Sequence, residues 1–176
     1  QWREQRPDII YIFSKDILRH RRAQKEDAVW LKKGEEYKDE TLSVRAFGST
    51  DVGVSFLLQA SGKKIFHAGD LNNWHWMDES TEAEWKGAEK NFLHELDDLY
   101  AYTPEVDVAM FPVDPRLGKE YMRGAGQFVT KIKTHIFVPM HFTPEYAKAN
   151  AFRDFAEAHG VRFVSLTHRG QKIEIE

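Results

Sequence analysis

Three apolar segments of the sequence each end in polar residues that can bind a metal ion or transfer a proton. They are, in chain order, "FHAGD" with His67 and Asp70, "FPVDPRLG" with Asp114, and "FVPMHF" with His141. In layered α/β proteins, binding sites form outside the ends of strands, so the loops at one edge can converge there. Imidazole and carboxylate groups suit zinc, manganese or iron. We therefore expect some of these residues to meet at one site.

Each of these residues also has a plain structural interpretation. Asp70 follows Gly69, which permits a sharp turn and a close approach to a ligand, yet Asp70 can equally cap that turn through its own backbone. A lone histidine such as His141 is more often a hydrogen-bonded, partly buried side chain than a ligand. Asp114 is expected to be a structural turn residue. His67 is either a core residue or, as we favour, a residue that lies behind the ligands and orients one of them.

The loop that follows "FHAGD" reads "LNNWHW" and is rich in aromatic and amide side chains. Trp74, His75 and Trp76 are most simply explained as a lid packed over the edge of the core. The alternative is that they form a wall that lines a substrate site. Because the chain has only 176 residues, such a loop favours a small molecule over a polymer as the ligand.

Strands that could position these loops are predicted from short apolar runs between turn residues. The predicted strands cover 9–13, 28–31, 42–49, 54–60, 65–68, 106–112, 134–141, 162–166 and 172–176. The turn "SGKK" joins two of them into a hairpin over 54–68. The polar stretch 35–40 is interpreted as a loop.

Three helices are predicted between the later strands, at 80–100, 121–132 and 143–159. Ser80 or Thr81 begins the first with a capping-box pattern, and apolar residues then recur at helical spacing. Thr143 followed by Pro144 predicts the start of the last helix, and Gly160 predicts its end. Strands first, then strands alternating with helices, indicate a mixed α/β layered domain.

Composition excludes several classes of protein and places the chain among ordinary globular domains. The formal net charge of −3 provides no field that attracts nucleic acid or an anionic membrane, and the basic run at 19–22 is interpreted as a solvated face. No segment is long and apolar enough to span a membrane, and no signal-peptide core is present. The absence of cysteine fits a reducing cytoplasmic location.

Taken together, these segments resemble the metallo-β-lactamase superfamily, and most closely its small bacterial metal-dependent hydrolases. The similarity is carried by "LSVRAFGSTDVGVSFLLQASGKKIFHAGDLNNW", "FPVDPRLG" and "FVPMHF" and covers about 42–175. It implies that Asp70 and His141 are both metal ligands and catalytic residues, with Asp70 bridging two ions. Asp51 stands where the family has a further histidine, and it is either a substitute ligand or a turn residue.

One departure from the family pattern is large. The principal family motif, His-x-His-x-Asp-His, normally precedes a segment like "PDIIYIFS" and is absent from the sequence. The resemblance therefore implies an αββα four-layer sandwich that is N-terminally incomplete. On this interpretation, 1–176 is the larger, C-terminal part of a single metallo-β-lactamase-like domain.

The resemblance implies a hydrolase that uses hydroxide bound to one or two zinc ions, or to manganese or iron. Small-molecule esters, lactones, amides and phosphodiesters all suit that chemistry, and neither nucleic acid nor a membrane is an expected partner. The alternative is a degenerate, non-catalytic domain of the same fold that serves binding or assembly. An incomplete domain would leave a sheet face uncovered, so a homo-oligomer is also expected.

Overall fold

A seven-stranded sheet forms the centre of the computed structural model, which describes residues 2–19, 24, 26 and 28–174. Its strands lie side by side in chain order: β3 (Glu36–Lys38), β4 (Leu42–Phe47), β5 (Ser55–Ala60), β6 (Lys63–His67), β7 (Glu105–Pro112), β8 (Lys133–Met140) and β9 (Arg162–Phe163). Strands β3 to β6 are antiparallel, whereas β6 to β9 are parallel. A separate parallel pair is formed by β1 (Ile12–Ser14) and β2 (Val29–Leu31). The predicted hairpin over 54–68 is confirmed.

Helices follow the strands in the second half of the chain. They are α1 (Trp2–Gln5), α2 (Asp16–Arg19), α3 (Glu82–Tyr102), α4 (Arg123–Lys131), α5 (Tyr146–Asn150) and α6 (Arg153–Ala158), with a 3-10 segment at Pro115–Glu120. The capping box of α3 is confirmed at Thr81, whose hydroxyl accepts from the Glu84 N–H while the Glu84 carboxylate accepts from the Thr81 N–H. Within the described residues, no helix has both the length and the apolar composition needed to cross a membrane.

Successive residues along each strand point to opposite faces of the sheet, so residues in register across the strands form rows on one face or the other. One row points to the helices and is buried: Leu57, Phe66, Ala109, Phe137 and Phe163. The neighbouring row points to the other face: Val44, Leu58, Ile65, Val108 and Ile136. Both faces of the parallel half are therefore apolar, which is typical of a sheet covered on both sides.

Aromatic side chains fill the main core between the sheet and the helices. Phe111 is fully buried, and its ring centroid lies 4.6 Å from that of Phe128, 6.1 Å from Phe92 and 6.3 Å from Phe137. These four rings come from α3, β7, α4 and β8. The core thus joins the long helix to the strands whose ends carry Asp114 and His141.

Two smaller apolar clusters cover the opposite face of the sheet. Residues of β1 and β2, including Leu31, pack against Val44 and Ala46 of β4. Leu166 and Ile173 pack against the cluster that contains Val108. The described residues thus form a helical layer, a large mixed sheet and a small second sheet, and the predicted mixed α and β class is confirmed.

The predicted strand at 172–176 is wrong for its described part, because 172–174 form no strand and 175–176 lie outside the described residues. The strand predicted at 162–166 shortens to β9. The side chain of Asn150 explains where pairing stops. Its amide donates to the Leu166 carbonyl and accepts from the Leu166 N–H, at 2.8 and 3.1 Å, in place of a neighbouring strand. Most of the basic run, at 20–22, also lies outside the described residues.

The single helix predicted at 143–159 is instead two short helices, α5 and α6. Thr143 does not cap a helix, because its φ is +50° and its hydroxyl donates to the Phe142 carbonyl. A residue before proline is disfavoured in the helical region, so the helix begins only at Tyr146. Gly160, with φ +75°, follows the end of α6 as predicted.

Candidate functional site

Asp70 and His141 lie together at the edge where the parallel strands β6 and β8 end. The distance from His141 Nε2 to Asp70 Oδ1 is 3.5 Å, and the two side chains are 33% and 37% exposed. When two ligand atoms each lie about 2.0–2.1 Å from a tetrahedral ion, they are roughly 3.4 Å apart. The spacing and the donor types therefore fit one divalent cation between these two side chains.

Asp114 orients His141 from the opposite side of the imidazole ring. Its side chain is completely buried, and Oδ2 lies 2.8 Å from His141 Nδ1. Because Nδ1 then donates to the carboxylate, the neutral ring has its free electron pair on Nε2, on the side of Asp70. Asp114 is also a turn residue, as predicted. Its carboxylate accepts a hydrogen bond from the Arg116 N–H at the start of the 3-10 segment.

The orienting role of Asp114 is not among the sequence-based predictions, although the position of Asp114 after a strand is a signal for it. Asp114 follows β7, and β7 is paired in parallel with β8, which ends just before His141. Polar residues that follow adjacent parallel strands lie at one edge of the sheet. That arrangement is the same one that brings Asp70 to His141.

Arg116 neutralises the buried carboxylate of Asp114. Its Nε lies 3.0 Å from both carboxylate oxygens, and its Nη2 lies 2.5 Å from Oδ2. Burial alone would raise the pKa of Asp114, but the hydrogen bonds from Arg116 and His141 outweigh it and hold that pKa below its usual range. The carboxylate is therefore charged at neutral pH, as an orienting partner of His141 must be.

Replacing Asp114 with asparagine is expected to lower the affinity for a divalent cation by about 10–100-fold, the usual effect of losing a carboxylate that orients a histidine ligand. The amide still fills the space but is a weaker acceptor for His141. Competition with a chromophoric chelator measures the change. Asp97→Asn, at an exposed position of α3, is the matched control. Equal affinities for the two variants would contradict the role of Asp114.

The backbone near the site adopts left-handed conformations that side chains rarely occupy. His141 has a φ of +62°, and Gly69, just before Asp70, has a φ of +59°. A Cβ on Gly69 would lie 2.7 Å from the Val54 carbonyl oxygen, so glycine is required there. Such strain persists only where the surroundings over-determine the conformation, and it concentrates at functional sites.

Thr50 holds the loop that follows Asp70. Its hydroxyl donates to the Asn72 carbonyl at 2.6 Å and accepts from the Asn72 N–H at 3.0 Å. The Trp74 indole donates to the Asp70 carbonyl at 2.8 Å. Nothing in the sequence distinguishes Thr50 as a site residue, because a threonine in a Gly-rich loop carries no specific signal.

Two other candidate residues of the site region, His67 and His75, have different surroundings. His67 Nδ1 accepts from the Gly69 N–H at 3.0 Å, and no hydrogen bond within the described residues joins its ring to Asp70 or His141, so its orienting role stays a prediction. His75 is buried. Its Nε2 lies 3.1 Å from the Glu120 carbonyl oxygen, and its Nδ1 accepts from the Met77 N–H. His75 is therefore packed into the structure, as the lid interpretation expects.

A cavity of about 330 Å³ opens beside His141. It is lined by Thr50, Asp51, Trp74, Trp76, Arg116 and His141. The two tryptophans therefore match the alternative interpretation, a wall beside the site. Asp51 shares this cavity, yet among the described residues no group of three or more His, Cys, Asp or Glu can hold a metal ion. The role of Asp51 as a third ligand stays a prediction.

A polar network beneath the loop ties it to two helices. Asn73 is fully buried, and its amide donates to Glu89 of α3 and to Gln127 of α4, both at 2.9 Å. Arg123 forms an ion pair with the same Glu89 carboxylate. The hydrogen bonds from Arg123, despite partial burial, lower the pKa of Glu89 to about 2.

This pKa predicts a pH dependence of stability. Because the folded pKa of Glu89 lies below its ordinary value of 4.5, its contribution is present above that value and is lost as the pH falls towards about 2. Glu89→Gln is expected to lower the free energy of unfolding by about 1–3 kcal/mol at pH 7, and the difference from wild type should shrink in acid. Urea unfolding at several pH values measures this difference.

The control is Glu82→Gln, which removes an exposed ion pair with Lys86. It should change stability by less than about 0.5 kcal/mol, and an equal loss in both variants would contradict the prediction.

The order of strands, the helical layer and the polar residues at one edge define a metallo-β-lactamase fold, as the sequence predicts. The chain resembles several solved structures, including the two that follow. The chain matches a predicted metal-dependent hydrolase from Parabacteroides distasonis with a TM-score of 0.61 and 15% identity, over 89% of this chain and 64% of the other. It matches the metallo-β-lactamase fold protein YhfI from Bacillus subtilis with a TM-score of 0.54 and 6% identity, over 93% of this chain and 65% of the other.

At these identities the likeness establishes the fold alone. The chain spans slightly less than two thirds of the length of either protein. No protein-family model matches the sequence, and no curated protein matches it.

Proposed function

We propose that this chain is part of a metal-dependent hydrolase whose cation is held by Asp70 and His141. The observation that supports the proposal most directly is the 3.5 Å spacing of Asp70 Oδ1 and His141 Nε2. The predicted hydrolase among the proteins of the same fold agrees with it at the level of reaction class.

The residues of this chain have distinct tasks in that reaction. A bound divalent cation supplies a Lewis acid and lowers the pKa of a coordinated water. Asp70 offers two carboxylate oxygens, and Asp114 keeps Nε2 of His141 ready to bind. This nitrogen and oxygen donor set suits zinc, and it is also compatible with manganese or iron.

A catalytic zinc ion usually has three protein ligands, so this site needs at least one more. We assign that place to Asp51 or to a part of the protein outside this sequence, since the chain spans only 64% of the predicted hydrolase. The second candidate function, a non-catalytic domain that binds or assembles, is favoured by the lack of a three-ligand group among the described residues.

The size of the cavity favours a small-molecule substrate. Its volume of about 330 Å³ lies at the lower end of the range of ligand pockets, roughly 300–1,000 Å³. An ester, lactone, amide or phosphodiester of modest size fits it, whereas the net charge of −3 opposes binding of nucleic acid.

Elemental analysis of the full protein, purified without chelator, separates the two functions. The hydrolase proposal expects at least one equivalent of zinc, manganese or iron per chain, and turnover of 4-nitrophenyl acetate or bis(4-nitrophenyl) phosphate that stops on dialysis against chelator. Less than one equivalent, with no turnover after each metal is added back, would favour the non-catalytic domain.

A further inference from the structure

The indole rings of Trp74 and Trp76 lie nearly parallel to each other at the cavity. Their ring centroids are 6.3 Å apart, and the two ring planes differ by 16°. Both residues are half-buried and line the cavity of about 330 Å³. The hydrogen bond from the Trp74 indole to the Asp70 carbonyl fixes the Trp74 ring relative to the candidate ligand. We call the pair the tryptophan wall.

Trp76 is held in a backbone conformation that a bulky residue rarely adopts. Its φ is +43°, and its carbonyl accepts hydrogen bonds from the N–H groups of Glu79 and Ser80 at 2.8 and 2.9 Å. A large side chain in the left-handed region is strained unless the surroundings enforce it. Covering the core does not require such strain. Holding an indole ring at a fixed angle to the cavity would explain why the strained conformation is kept.

The tryptophan wall stands directly beside the candidate reacting centre. The centroid of the Trp74 ring lies 5.3 Å from that of His141, in an edge-on arrangement. A planar ring stacked on the wall would therefore place a group attached to that ring next to Asp70 and His141.

Arg116 supplies a donor to the same cavity. Its Nε and Nη2 bind Asp114, and within the described part of the chain no hydrogen bond is made by Nη1. The side chain is 54% exposed, so Nη1 can donate to an oxygen of a bound molecule. Asp51 borders the cavity as well, and its negative charge disfavours an anionic ring compound.

We infer that the tryptophan wall selects an uncharged small molecule in which a planar ring carries the acyl group to be hydrolysed, such as an arenecarboxamide or an ester of an arenecarboxylic acid, with its carbonyl oxygen received by Arg116. This inference names the substrate class of the proposed hydrolase and rests on that function. The ring binds to the chain's own side chains, however, and therefore requires no metal.

Binding of two probes that differ mainly in ring planarity tests the inference. The indole N–H signals of the full protein are followed by NMR, in the presence of chelator, during titration with benzamide and with cyclohexanecarboxamide. Because stacking adds to simple burial of apolar surface, benzamide should bind about tenfold more tightly. Equal affinities, or shifts confined to tryptophans other than Trp74 and Trp76, would overturn the inference.

Substitutions of Trp76 test whether the tryptophan wall causes the preference for benzamide. Trp76→Leu should reduce the ratio of the two affinities to about twofold or less, because leucine offers no flat surface for stacking. Trp76→Phe should retain most of it, as should the control Trp85→Leu on α3. A ratio that survives Trp76→Leu would overturn the inference. If the protein binds no metal yet prefers benzamide, the hydrolase proposal fails and the tryptophan wall is a binding site for planar rings without hydrolysis. Turnover without a ring preference overturns the inference and leaves the hydrolase proposal in place.

Discussion

Replacing His141 with alanine is expected to lower the affinity for a divalent cation, and the hydrolytic rate with it, by more than about 100-fold. Loss of a group that merely orients a ligand already costs about 10–100-fold, and His141 supplies one of the two donor atoms that lie 3.5 Å apart at this site. Isothermal titration with zinc measures the affinity, and turnover of 4-nitrophenyl acetate measures the rate.

The matched control is His94→Ala, which removes an exposed histidine from the surface of α3. It should bind the cation and turn over the ester as wild type does. If His141→Ala kept its metal and its rate while folding normally, the site would lie elsewhere in the molecule, and the proposed function would lose its main support.

Replacing Phe111 with alanine is expected to lower the free energy of unfolding by about 3–5 kcal/mol. The ring is fully buried and contacts aromatic rings from α3, α4 and β8, the nearest with a centroid distance of 4.6 Å. Truncation therefore removes apolar contacts and leaves a cavity at the junction of these elements. Urea unfolding followed by circular dichroism measures the loss.

Phe155→Ala provides the comparison, since Phe155 is also a helix-layer phenylalanine but is 42% exposed. Its loss should be about 1 kcal/mol or less. Similar losses in the two variants would mean that the centre of the core does not lie at Phe111.

The regular part of the fold could be predicted because its patterns are local. Apolar runs on both sides of the turn "SGKK" predict the hairpin strands, and helical spacing with a capping box predicts α3. The polar strand β3 is not predicted, since Glu36 and Lys38 carry no apolar signal and only pairing with β4 makes them a strand. The end of β9 depends on Asn150, a contact between distant positions that no local pattern contains.

The same division holds for the candidate site. Asp70 and His141 could be singled out because each follows an apolar strand, and the structure brings them together. The link from Asp114 to His141 could not be read from either segment alone. It depends on the register of two parallel strands, in which Pro112 stands opposite Met140. Thr50 acts through backbone groups of another loop, which sequence patterns do not record.

Because β6, β7 and β8 pair in parallel, we expect the candidate site to form late in folding. Asp70 and His141 are separated along the chain by α3, β7, α4 and β8, so they cannot approach each other in a chain that has only local order. Long-range parallel pairing is a slow event in refolding, and a cation gains two ligands only once it is complete. If Asp70 and His141 hold a cation as proposed, we expect that it does not nucleate folding and that it stabilises the molecule only after β8 has paired with β7.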